Sequence, residues 1–298
     1  MRQSLARRFA NDPNYRVLQY LLGEERILEW VHSVGVTTDP NLAECVPPVP
    51  PIELRQITAE IEAALFLYTG SYDLATLVAL YHAHAGATLP KPKVLDFGCG
   101  CGRMTRFLDP ARWEIFGSEV NPDHVAWCRV NLPGVDTRQN TCAPPLRFES
   151  QQFDFIYSLS IFSHLSAGMA EAWLEELARV SKPGSLVMLT FHGSHALQVV
   201  EESPAHQAML HLTPQAARDI LDRLQREQLI LIPYDEALIR GINVGTSEYG
   251  TTFINPPFAP ELGKKCGFEP LANIPGGMRG FQDIVVLRRR RPWHPPSE

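Results

Sequence analysis

Apolar residues at the start of the chain recur at helical spacing: Tyr15, Leu18, Leu21 and Leu22, then Ile27, Trp30 and Val31. This predicts helix over residues 1–35, punctuated by Gly23 and Gly35. The prolines at 47, 48, 50 and 51 exclude helix and read as an extended linker over 46–51. Residues 54–84 return to a helix-rich pattern, broken near Thr69-Gly70-Ser71. From Lys93 the pattern changes to short apolar runs alternating with amphipathic stretches, which implies a parallel sheet with crossover helices. Strands are predicted over 93–97, 113–120, 135–140, 153–158 and 186–191. Helices are predicted over 102–108, from 122 onward and over 168–180. About 60 residues then interrupt the alternation. They hold a helix over 213–227, opened by a Thr213 cap and Pro214 in its first turn, an apolar run over 229–232 and a Gly-rich stretch over 240–252. A helix over 257–265 and strands over 268–274 and 281–287 resume the pattern.

The expected organisation is an accessory or lid segment over 1–90, a main domain over 91–291 with a cap-like insertion at 194–255, and a tail at 292–298. A chain of 298 residues accommodates this. The composition, 45% hydrophobic and 20% charged, is that of an ordinary globular protein. A net charge of -6 provides no global basic field, so no nucleic acid is expected as a partner, and the Arg288 to Arg291 run reads as a solvated strand end. The six cysteines show no framework spacing, which fits reduced thiols and a cytoplasmic protein. Cys99-x-Cys101 has no second pair at ligand spacing, so no metal is expected. Residues 1–10 lack the apolar core of a signal peptide, and no run of about 20 apolar residues occurs, so no membrane span is expected.

The chemistry concentrates in Val94-Leu95-Asp96-Phe97-Gly98-Cys99-Gly100-Cys101-Gly102-Arg103. A buried strand runs there into a glycine turn, which lets a ligand approach the main chain. A dinucleotide fingerprint would need a third glycine where Arg103 stands, and Asp96 would repel a pyrophosphate. Asp96 suits an ammonium group instead. The stretch resembles motif I of the class I S-adenosylmethionine-dependent methyltransferases. The resemblance extends to Glu119, 21 residues past Gly98, to the Phe153-Asp154 strand and to the Lys182-Pro183-Gly184 turn before the fifth strand. The doubled Gly-Cys-Gly-Cys-Gly, the Pro144-Pro145-Leu146 run and Thr190-Phe191-His192-Gly193 look like a subgroup associated with glycan and secondary-metabolite assembly.

That resemblance implies a Rossmann-like, doubly wound, seven-stranded, mostly parallel sheet whose last strand runs antiparallel. It implies S-adenosyl-L-methionine as cofactor and S-adenosyl-L-homocysteine as product. Asp96, Gly98, Cys99, Gly100, Gly102 and Arg103 would hold the methionine part, Glu119 and Val120 the ribose, and Asn140, Thr141 and Cys142 the adenine, with Ser158 and Leu159 beside the methionine end. The family often places an aspartate in the adenine position, and this chain has none there. Transfer to a hydroxyl needs a general base, typically histidine. His164 and His192 follow the fourth and fifth strands, at the edge where open α/β sheets bind ligands. The expected activity is methylation of a small-molecule hydroxyl, sugar-like or of secondary metabolism. The alternative is a non-catalytic protein that binds the same cofactor.

Overall fold

The computed structural model describes residues 47–56, 63–86, 89–235 and 247–290. The helix expected over 1–35, the first residue of the linker and the tail at 292–298 lie outside the described residues, as does part of the Gly-rich stretch.

After a single helical turn at Ile52–Arg55 come helix α1 (Ala63–His84), strands β1 (Lys93–Phe97) and β2 (Glu114–Glu119), α2 (Pro122–Asn131), β3 (Val135–Gln139) and β4 (Phe153–Ser158). Next are α3 (Ala167–Val180), β5 (Ser181–Phe191), α4 (Ser194–Glu202), α5 (Pro204–Leu210) and α6 (Pro214–Leu224). The chain continues with β6 (Leu229–Pro233), β7 (Gly250–Ile254), α7 (Phe258–Lys265), β8 (Phe268–Met278) and β9 (Gln282–Arg289). Seven strands form one sheet in the order β3-β2-β1-β4-β5-β9-β8. β1 pairs in parallel with β2 and β4, β2 with β3, and β4 with β5, whereas β9 runs antiparallel to β5 and β8. This is the Rossmann-like sheet with an antiparallel last strand that the motifs implied.

The period-2 alternation along the strands divides the core into two layers. Leu95, Phe97, Ile156, Val187, Leu189, Val285 and Leu287 pack with Trp173, Leu174 and Leu177 of α3. The intervening Val94, Phe155, Tyr157, Leu186, Met188, Ile284 and Val286 pack with Leu74, Leu77, Val78, Leu80 and Tyr81 of α1. Helix α1, expected in an accessory segment, is thus the covering layer of one sheet face. Its sequence is apolar on almost every side, as suits a helix buried between a sheet and further chain.

The helix expected over 102–108 is a set of turns with only a short 3-10 segment at Thr105–Phe107. Phe107 and Leu108 donate backbone N–H groups to carbonyls three residues back, at 3.0 and 3.1 Å. Leu108 leaves the helical region with ψ 131°, ahead of Asp109-Pro110, so the turn has no room to propagate.

The insertion is strapped to the sheet's C-terminal edge. β6 and β7 form an antiparallel pair. Ser166 N donates to Glu248 O, Gly250 N to His164 O and Thr252 N to Ser163 O, stitching β7 onto the loop after β4. On the other side, Ile254 N donates to His192 O at 2.8 Å, beside the end of β5.

Candidate functional site

The strand-to-loop turn after β1 is built around glycine. Gly98 has φ +82° and would drive a Cβ into the side chain of Ile161, and Gly102 has φ +73° with Leu132 in the same relation. Ser118 O fixes the turn by accepting from Gly98 N at 2.8 Å and Cys99 N at 3.0 Å. Replacing Gly98 with Ala should therefore cost about 1–3 kcal/mol of stability, combining backbone strain with a contact that must give. Thermal unfolding measures this, and a variant melting with the parent would contradict the geometry.

Asp96 stands where β1 emerges, 1% exposed. Its Oδ2 accepts from Thr105 Oγ1 at 2.5 Å and from the Tyr157 hydroxyl at 3.1 Å. Its Oδ1 is buried without a partner. Burial pushes the carboxyl up to about 7, against the opposing pull of the Thr105 and Tyr157 hydrogen bonds and of Arg103. Its register partner on β4 is Tyr157, and β4 ends one residue on at Ser158, whose hydroxyl is also buried and unpartnered. An unsatisfied carboxylate oxygen at this depth calls for a cationic donor, and an ammonium group fits it.

Glu119 ends β2. Its Oε2 accepts from Gly100 N and its Oε1 from Asn121 N, both at 2.8 Å, so it braces the glycine turn while each oxygen keeps a second lone pair for a ligand hydroxyl. Val120 follows, half-buried. Asn140 N donates to Glu119 O at 3.0 Å, and Asn140 Oδ1 accepts from Ser118 Oγ at 2.7 Å, so the third strand's end is tied to the second's. Thr141 Oγ1 donates to Ala143 O at 2.6 Å, and Cys142 O accepts from Trp173 Nε1 at 3.2 Å. Leu159 is half-buried against the α1 face of the core.

Beneath the turn lie the buried thiols of Cys99, Cys101 and Cys128. The Cys128 hydrogen bond, then burial, push the Cys99 thiol well above the usual range, so Cys99 is an inert packing group. The Arg103 guanidinium bonds to helix α1. Nη1 donates to Thr69 Oγ1 at 3.0 Å and to Asp73 Oδ2 at 2.8 Å. Among the described residues no group of three or more His, Cys, Asp or Glu could hold a metal ion, and no helix is long and apolar enough to cross a membrane.

The two histidines differ sharply. His192 is 3% exposed and packs between the rings of Phe253 and Phe281, at 5.6 and 5.3 Å. Thr190 Oγ1 accepts from Ser160 N and donates to Gln282 Oε1, which turns the Gln282 amide nitrogen toward His192 Nε2 at 3.2 Å. The Nε2 lone pair is thereby occupied. Burial, with the charge of His164, pushes His192 down to about 3.

His164, in the loop after β4, is half-buried and stacks on Tyr249 at 5.4 Å. Its Nδ1 is 3.0 Å from Gly250 O and 3.0 Å from the Tyr234 hydroxyl. A carbonyl only accepts, so Nδ1 carries the proton and Nε2 keeps a basic lone pair. Burial lowers the His164 pKa, holding the ring neutral at physiological pH. Tyr249 is the ring on which His164 stacks. Burial, then Tyr234, Glu119 and Cys142, hold its hydroxyl protonated. Sequence reasoning left Tyr234 and the Gly250 carbonyl unmarked. They lie 70 and 86 residues from His164, and no spacing signals such a contact.

Residues 94–184 match a family model described as a methyltransferase domain. An uncharacterized methyltransferase, sll0829, of Synechocystis sp. is 26% identical over 103 residues, 35% of this chain and 48% of that protein. The biotin biosynthesis bifunctional protein BioCD of Bordetella avium is 29% identical over 152 residues, 46% of this chain and 30% of that protein. The chain thus spans about half, or less, of the length of these curated relatives. A chain from the complex of the Haloferax volcanii Trm112 methyltransferase activator with a methyltransferase superposes with a TM-score of 0.51 at 14% identity, covering 81% of this chain and 100% of that one. At that identity the likeness shows the fold.

Proposed function

We propose that this chain, which carries a class I S-adenosylmethionine-dependent methyltransferase domain, transfers the methyl group to a hydroxyl of a small molecule, sugar-like or of secondary metabolism. When bound, the cofactor supplies an electrophilic methyl on sulfur. The chain's own part is to hold the ammonium end on Asp96, to hold the ribose hydroxyls on Glu119, and to keep water from the sheet's C-terminal edge. The ends of β2 and β3, from Val120 through Asn140, Thr141 and Cys142, would border the adenine, and Ser158 and Leu159 the methionine side.

The observation that carries the hydroxyl acceptor is His164, with its proton fixed at Nδ1 and its Nε2 lone pair left basic. A hydroxyl must lose its proton as the new bond forms, and a neutral imidazole at the end of β4 can take it. His192 supports that edge as a packed, hydrogen-bonded group. Incubation with methyl-labelled cofactor and a panel of sugars, alcohols and phenols, followed by mass spectrometry, tests the reading. Label on an acceptor oxygen supports it. Label on nitrogen or carbon contradicts it, and cofactor binding without transfer to any acceptor supports a non-catalytic cofactor-binding protein.

The raised Asp96 sets a pH dependence. The ammonium pairs with the ionised carboxylate, and ionisation in the free protein is half complete only near pH 7. Cofactor affinity should fall as pH drops below that value, approaching about tenfold per unit. Calorimetric titration between pH 5.5 and 7.5 measures it, and a constant Kd across that range would contradict the assignment.

A further inference from the structure

We propose that Asp73 and Arg103 are positioning residues for the cofactor, coupling the seating of helix α1 to the glycine turn, so that cofactor binding and α1 docking strengthen each other. This rests on the cofactor reading above. The Asp73 side chain is 0% exposed, one helical turn beyond Thr69 on α1. A carboxylate at that depth requires compensation, and two guanidinium groups from separate elements converge on it. Arg103 Nη1 reaches Oδ2 at 2.8 Å, from the residue that follows the last motif glycine. Arg279 Nε lies 3.1 Å from Oδ1, from the turn between β8 and β9, as an ion-pair contact without an aligned hydrogen bond.

Two further contacts close the same joint. A Cβ on Gly70 would collide with the Arg103 carbonyl, so α1 sits directly on the main chain of the turn. Arg106, buried beneath, donates to Gly102 O at 2.9 Å and Cys101 O at 3.3 Å, and on its other side to Pro47 O at 3.1 Å and Pro48 O at 2.8 Å. The proline-rich linker is thereby pinned to the turn as well. A loop with glycines at 98, 100 and 102, all at positive φ, has little stiffness of its own. Glu119 holds its middle, through Gly100 N, and Arg103 holds its far end. Releasing the far end returns conformational freedom to the segment that must be ordered around the cofactor. By linkage, a ligand that orders the turn tightens α1 in return.

The test uses the full chain, with binding of S-adenosylmethionine by calorimetry and amide exchange of α1 peptides with and without it. In the parent, the cofactor should slow exchange within α1. Arg103→Met should raise Kd about 10- to 50-fold and abolish that slowing, whereas Arg103→Lys, which keeps the charge, should recover most of the affinity. If Arg103→Met does not fold, Arg279→Gln, which removes the other cation from the same carboxylate, should raise Kd in the same direction. Folded variants with parental Kd, or α1 exchange in the parent indifferent to the cofactor, would overturn the coupling. A parent that fails to bind S-adenosylmethionine would instead remove the cofactor reading.

Discussion

Asp96→Asn should weaken S-adenosylmethionine binding about 100-fold while making the ligand-free protein more stable. The two effects have one origin. The buried carboxyl, 1% exposed, sits at about 7 against an ordinary value of 3.8, so the folded state holds its proton more tightly than the unfolded chain. A group raised in this way contributes its full stability below the unfolded value and loses it as pH rises through about 7. At pH 8 the parent therefore carries a buried charge that its two hydrogen bonds compensate only in part, and asparagine removes it, for a gain of about 2 kcal/mol. The amide oxygen still accepts from Thr105 and Tyr157, which keeps the strand end in place. The gain should vanish near pH 4, where both chains are neutral at this position. Thermal unfolding across pH and titration with cofactor measure both halves. A variant that binds like the parent, or that melts well below it at pH 8, would contradict the role given to Asp96.

His164→Ala should lower turnover by about 10²- to 10⁴-fold with cofactor affinity within a few-fold of the parent. The companion change, His192→Ala, should act on stability. It removes one of the two acceptors of the Gln282 amide, leaving Ser160 Oγ at 2.9 Å, and opens a void between Phe253 and Phe281, a loss of about 2–4 kcal/mol. At temperatures where it stays folded, its turnover should remain within tenfold of the parent. Reversal of this pattern, with His192→Ala silencing transfer in a stable protein and His164→Ala active, would place the base at the end of β5. Unchanged turnover in both variants would favour an acceptor that needs no base.

The sheet was legible from sequence because its central strands are short apolar runs, buried on both faces and set off by punctuation. Phe153-Asp154 opens β4, and Lys182-Pro183-Gly184 marks the start of β5. Asp96 and Glu119 were legible as chemistry, since an acid at a strand tip beside glycines has few structural uses. The packing of helix α1 on the sheet was not legible, because a helix apolar on almost every side carries no stripe to show what covers it. The missing helix after Gly102 followed from chemistry that spacing hides, with Thr105 drawn to Asp96 and Arg106 turned back onto Gly102 O. The Arg103–Asp73 pair spans 30 residues and the His164–Gly250 contact 86, and pairings at such separation are fixed by tertiary packing alone. Sequence thus singled out the glycine turn and the acids beside it, and stopped at the contacts made by the insertion.

The proposed function stands on S-adenosylmethionine binding at the glycine turn between Asp96 and Glu119. Isothermal titration of the full chain with S-adenosylmethionine, S-adenosylhomocysteine and NAD at pH 7.5 tests it most directly. Saturable one-site binding of the first two, with no heat from NAD over the same range, is the expected result. Binding of NAD with none of S-adenosylmethionine would contradict the account.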